Sequence, residues 1–169
     1  MTKFIALLRG INVGGQKKVK SEDLKKTFES LGFKNVITYI QSGNVVFDCL
    51  NCSSNKIENK LKEVFNFDVK VLIRTKEEFK KIIEKNPFKG KKRTYVIFLS
   101  DVPKNIPIDE INKVKEKNEK FFINSKEIYL LLPNYGRTKL NNNFFEIKLK
   151  VNGTTRNFNT VTKLFEMVS

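Results

Sequence analysis

The chain has 169 residues, 40% of them hydrophobic, which suits one ordinary domain or two small ones sharing a core and excludes a disordered polymer. Its formal net charge is +15 and it holds no histidine, so every mechanism built on an imidazole is excluded, from a Ser-His-Asp nucleophile to a His-ligated haem. The apolar runs, such as Phe4 to Leu8 and Ile128 to Leu132, are strand-length, and MTKFIALLRG lacks the long apolar region of a signal peptide, so a cytoplasmic protein outside the membrane is expected.

In chain order, KFIALLR predicts a buried strand and, after a Gly-rich loop, SEDLKKTFESLGF predicts a helix. Ser21 is its candidate N-cap, Leu24, Phe28 and Leu31 form its apolar stripe, and Gly32 stops it. VITYIQSGNVVFD reads as two short strands around Ser42-Gly43-Asn44. SNKIENKLKEVF is helical through Ile57, Leu61 and Val64, with Ser54 a candidate cap, and DVKVLIRT is a further strand. Strand, helix, hairpin, helix, strand over residues 3–74 is the split βαβ pattern of a ferredoxin-like unit.

The order then partly repeats, although the residues of the two halves are not visibly similar. A linking helix, TKEEFKKIIEKNPF, is capped by Thr75 and closed by Asn86-Pro87, and RTYVIFLS is the next strand. A loop marked by Pro103 and Pro107, a charged helix near Asp109 to Lys117, a second hairpin around Asn124-Ser125-Lys126 and a helix from about Leu140 follow. Where a fourth strand is due stands the polar stretch NGTTRNFNT, and then a last amphipathic helix, TVTKLFEMV. The expected fold is therefore α/β (α+β), with a ferredoxin-like subdomain over 1–74, a linking helix over 75–92, and a second, modified subdomain over 93–169 ending in a C-terminal helix. In such a unit the first strand and the strand entering the hairpin are parallel, so RGINVGG and QSGN lie at one end of the first sheet. By the same rule NGTTRN emerges beside the turn of the second hairpin.

Cys49 and Cys52, in CLNC, match the spacing of a redox pair or half of a zinc site. With no second pair and no histidine, the favoured reading is a connector that holds two thiols, and neither a metal nor a cofactor is predicted.

Of the 33 cations, 28 are Lys, a hydrated point charge that suits a solvated surface, so +15 by itself does not require a nucleic-acid partner. The five arginines, Arg9, Arg74, Arg93, Arg137 and Arg156, carry more information, because a planar guanidinium fits carboxylate or phosphate. Three of them lie in segments rich in Gly, Asn and Thr.

Those segments, FIALLRGINVGG, YGRTKL and GTTRNFNTVTKL, together with TYIQSGNVVF, resemble in that order a bacterial family catalogued as domain of unknown function 1697. The resemblance spans essentially the whole chain and implies two ferredoxin-like subdomains, without an activity, substrate or cofactor. Family members often carry Trp where Phe158 stands, so this chain keeps the aromatic ring and loses the indole donor.

Together the four segments offer Arg9, Asn12, Gly14, Gly15, Gln41, Ser42, Gly43, Asn44, Arg137, Thr138, Lys139, Thr154, Thr155, Arg156, Asn157, Asn159 and Thr160, with no Asp or Glu. Such a set is rich in donors and suits an anion, a nucleotide or a nucleic-acid backbone, with Thr160 able to cap a helix pointing at it. Three alternatives stand beside that reading. The Gly pair and QSGN are turn chemistry; TTRNFNT is a clasp in which Asn159 or Thr160 caps the helix and Arg156 bonds linker carbonyls; or the chain is an enzyme on a phosphorylated or carboxylated small molecule, using Lys139, Tyr39 or Ser42. A protein-interaction module without a ligand site is the bland form of the clasp. Sheet-face RNA binding is disfavoured, since neither FIALLRG nor NVVFD carries spaced aromatics.

Overall fold

The computed structural model describes residues 1–39 and 43–169. Strand β1 (Thr2–Leu8) is apolar on both of its faces, and its last four residues are all buried. A strand without polar alternation belongs in the middle of a sheet covered on both sides. It pairs antiparallel with β3 (Asn44–Cys49) and with β4 (Val71–Thr75), while β2 (Lys34–Tyr39) lies outside β3, giving the order β2-β3-β1-β4. Helices α1 (Ser21–Ser30) and α2 (Ser54–Phe65) bury Leu24, Phe28, Ile57 and Leu61 against Ala6, Leu8, Val45 and Phe47. Phe28 packs edge-on to Phe47, whose ring stacks on Phe33 with centroids 4.6 Å apart. Burying each such ring contributes about 1.5–3 kcal/mol.

The second sheet repeats this arrangement. Strands β5 (Thr94–Leu99), β6 (Lys120–Asn124), β7 (Glu127–Leu131) and β8 (Gly153–Asn157) pair antiparallel in the order β6-β7-β5-β8. Helices α4 (Ile108–Val114) and α5 (Asn142–Leu149) place Ile111, Phe145 and Leu149 against Ile97, Leu99, Ile128 and Leu130. Helices α3 (Lys76–Glu84) and α6 (Phe158–Val168) follow directly on β4 and β8. Among the described residues the fold is thus mixed α/β, with two four-stranded antiparallel sheets and six α-helices.

The structure corrects the expectation of a second half without its fourth strand: GTTRN is that strand. It runs beside β5 from Leu99↔Gly153 to Tyr95↔Asn157. Gly153 permits the close approach, since a Cβ there would lie 3.1 Å from Ile97 Cγ2. Thr154 and Arg156 stand opposite Phe98 and Val96 and are buried on that face. Polar residues on the buried face hid the strand from a reading that looks for apolar alternation. The stretch does begin beside the second hairpin, where Leu99 N–H bonds Lys126 O and Ser100 N–H bonds Asn152 O, but it carries Arg156 toward the opposite end of β5. The helix expected from about Leu140 begins at Asn142, where the Asn141 side chain accepts Phe144 N–H at 2.9 Å.

Two compact units emerge: Met1–Lys81 with Lys163–Ser169, and Ile82–Thr162. No helix among the described residues is long and apolar enough to cross a membrane.

Candidate functional site

In the first unit the loop after β1 returns to the hairpin as strand direction requires, with Leu8 N–H on Gly43 O at 2.8 Å and Arg9 N–H on Lys70 O at 2.9 Å. Gly14 (φ 56°) and Gly15 (φ 75°) are the two centres of a tight turn closed by Gln16 N–H on Val13 O. A pair of left-handed residues is what a primed turn needs. Asn12 binds both backbone groups of Val19, at 2.8 and 3.0 Å, and so ties the loop to the start of α1. Gly43 is buried at φ 84°, with room for no more than a hydrogen against Ile11 and Leu8, and the buried Asn44 donates to Tyr39 O at 3.0 Å. Gln41 and Ser42 lie outside the described residues. A shallow depression of about 470 Å³, lined by Asn12, Gly15, Lys18 and Lys20, borders this loop.

The thiols of Cys49 and Cys52, at the end of β3 and just before α2, are free and hydrogen-bonded to each other. Burial pushes Cys52 up to about 12, helped by its neighbour, and burial also raises Cys49, so both stay protonated at neutral pH and neither is an activated nucleophile. No cluster of three or more Cys, Asp and Glu side chains among the described residues is placed to hold a metal ion.

In the second unit Arg156 is buried beneath β8, and its Nη1 donates to Thr154 Oγ1 at 2.7 Å and Thr155 O at 3.0 Å. Burial lowers the guanidinium to about 10, against which the nearby Tyr135 phenol works, so the group keeps its charge at neutral pH. Tyr135 stacks on Tyr95 with centroids 4.4 Å apart, and burial raises its phenol. Thr155 donates to Asn142 on α5 at 3.1 Å, and Asn142 in turn holds Gly153 O at 2.9 Å. The cap of α6 is Asn157, whose Oδ1 accepts Asn159 N–H at 2.8 Å, rather than the expected Asn159 or Thr160. Thr138 is buried and accepts Leu140 N–H at 3.0 Å, while Arg137 and Lys139, in and just after the 3-10 turn Tyr135–Arg137, are exposed. Most of these side chains therefore serve the backbone.

The cavity in this unit lies beside them, between the end of α3 and the start of α6. Tyr129 anchors α3 by donating its hydroxyl to Ile82 O at 2.8 Å. The chain then breaks at Asn86-Pro87, where Asn86 Oδ1 accepts Phe88 N–H at 2.9 Å, and returns to β5 with Leu132 N–H on Arg93 O. Arg93 Nη1 also donates to Pro133 O. The loop so held, with Asn157, Phe158 and Asn159, lines a pocket of about 570 Å³. Lys89, Lys91, Lys92 and Arg93 bring four exposed cations to its wall. Asn86 is 5% exposed; its Oδ1 accepts Phe88 N–H, and its Nδ2 is buried without an acceptor among the described residues. The N-terminus of α6, whose Asn159 N–H is taken by Asn157 Oδ1, borders the same space through Phe158 and Asn159 and brings the positive end of the helix dipole to it.

A family model described as "Protein of unknown function (DUF1697)" matches residues 1–129. The chain belongs to this family. Among solved structures, the conserved bacterial protein SP0830 from Streptococcus pneumoniae is similar in fold at 23% identity, with a TM-score of 0.73 over 99% of each chain. No curated protein matches the sequence.

For this DUF1697 protein, the sequence-derived site residues divide between the two units, and Asn157 and Asn159 are the ones that line the 570 Å³ pocket. In the sequence Asn86 stands only as part of a helix stop and Arg93 as one of five arginines without a site role, while Lys89, Lys91 and Lys92 are not singled out. The signal was present as KGKKR directly after an Asn-Pro helix stop, but a lysine run in a lysine-rich chain does not stand out from its background.

Proposed function

We propose that this protein is a binding module for an anionic ligand, phosphate-bearing by preference, and that the ligand occupies the pocket between α3 and α6 in the second unit. The observation that carries this reading is the buried Asn86 Nδ2, a donor without an acceptor in the wall of a pocket lined by four cations. An unmet buried donor costs about 1–3 kcal/mol, which a ligand oxygen would return. Lys89, Lys91, Lys92 and Arg93 supply opposite charge, and the positive end of the α6 dipole borders the same pocket. The loop around Gly14 and Gly15 is a closed turn and is not required by this reading. The strand orders of both halves favour two ferredoxin-like units, the product of an internal duplication, and the composition favours a cytoplasmic setting. The enzyme alternative draws less support, since Lys139 is exposed and lies outside this pocket.

Isothermal titration calorimetry with inorganic pyrophosphate at low salt tests the reading. Binding that weakens at least about tenfold in the Lys91→Glu/Lys92→Glu variant, with the fold retained, is the expected result. Wild-type and variant proteins of equal affinity, or no binding at all, would overturn it.

A further inference from the structure

We infer that the ligand of this pocket is a nucleoside phosphate, held by its phosphates at the lysine loop and by its base against the phenyl rings that also line it; this rests on the anion reading above. The pocket is too large for an inorganic anion alone. Its volume of about 570 Å³ falls within the range of about 300–1,000 Å³ typical of sites for organic ligands. Its lining also combines two chemistries. Lys89, Lys91, Lys92 and Arg93 are cationic, while Phe88, Phe158 and Ile83 are apolar. Phe158 is half-buried as the first residue of α6, so its ring sits at the positive end of that helix's dipole. A flat heterocycle joined to a phosphate is the ligand chemistry that answers both, since bases stack on aromatic rings whatever their sequence identity. Asn86 lines the same pocket, and its buried Nδ2 lacks an acceptor among the described residues. A carboxylate metabolite or a bare polyphosphate would leave the apolar side chains unused.

Calorimetry of the full chain with three probes, inorganic pyrophosphate, ADP and adenosine, decides the matter. The expected result is ADP binding at least about tenfold more tightly than pyrophosphate, with adenosine weaker than ADP. Phe158→Leu, which keeps the side chain apolar and removes the ring, should abolish the advantage of ADP and leave pyrophosphate affinity unchanged. Equal affinities for ADP and pyrophosphate in the native protein would overturn the nucleoside assignment while the anion reading stands, and no binding by either would overturn both. Adenosine binding as tightly as ADP, or a Phe158→Leu variant that loses both ligands equally, would also count against it. Should that variant fail to fold, intermolecular NOEs between the adenine protons and the Phe88 or Phe158 rings in the native protein are expected, and their absence in an ADP complex would overturn the assignment.

Discussion

Gly43 illustrates how a residue singled out for chemistry can be held by packing instead. At φ 84° a side chain is already strained, and an added Cβ would come within 2.8 Å of Ile11 Cδ1 and 2.9 Å of Leu8 Cβ. Gly43→Ala should therefore destabilise the protein by about 2–4 kcal/mol, read as a lower urea midpoint, whereas an unchanged midpoint would mean that the loop relaxes freely. Asp48 offers a second test. The Asn35 amide, 2.7 Å from its carboxylate, and then Lys3 at 3.3 Å hold its pKa below the usual value. A depressed folded-state pKa contributes stability that is full above the unfolded value of about 3.9 and is lost as pH falls through the folded one. Urea midpoints should accordingly fall less steeply below about pH 4 in Asp48→Asn than in the native protein. A parallel decline in both would place the acid sensitivity elsewhere.

The two strand-to-helix junctions show how far elements could be read from sequence. Ile5 pairs with Arg74 and Phe4 with Thr75 in the first sheet, as Val96 pairs with Arg156 and Tyr95 with Asn157 in the second. Each half thus ends its last strand on a buried arginine, followed by a capping residue and a helix. At the first junction Thr75 Oγ1 accepts Glu78 N–H while Glu78 returns a carboxylate to Thr75 N–H at 2.7 Å, a capping box that TKEE announces in the sequence. The second uses Asn157, inside a run with three competing candidate caps, so spacing alone does not select it. The hairpins, the helical stripes and the stop at Asn86-Pro87 were legible because periodicity and turn residues act locally. Strand β8 was not, because its burial depends on pairing with β5, 54 to 62 residues away in sequence, from Leu99↔Gly153 to Tyr95↔Asn157. Thr75→Ala and Asn157→Ala should each cost about 1 kcal/mol in urea denaturation; a negligible loss at Asn157 would remove it as the cap of α6.

At the level of the whole chain, two units of the same element order differ in the features that bear on the proposed binding chemistry. The first closes its glycine loop on itself through Asn12, while the second leaves a buried donor in a cationic pocket. Most of the +15 charge is spread as lysine over solvated faces and says little about a ligand; the lysine loop matters because a cavity and an unmet donor lie beside it. That distinction depends on tertiary placement and is invisible to composition. It also sets the most direct test, a ¹H–¹⁵N correlation spectrum of the labelled protein titrated with inorganic pyrophosphate. Saturable shifts should concentrate on the amides of residues 86–94 and 157–161 and on the Asn86 side-chain amide. Shifts centred on Arg9, Gly14 and Gly15, or none that saturate, would contradict the proposed site.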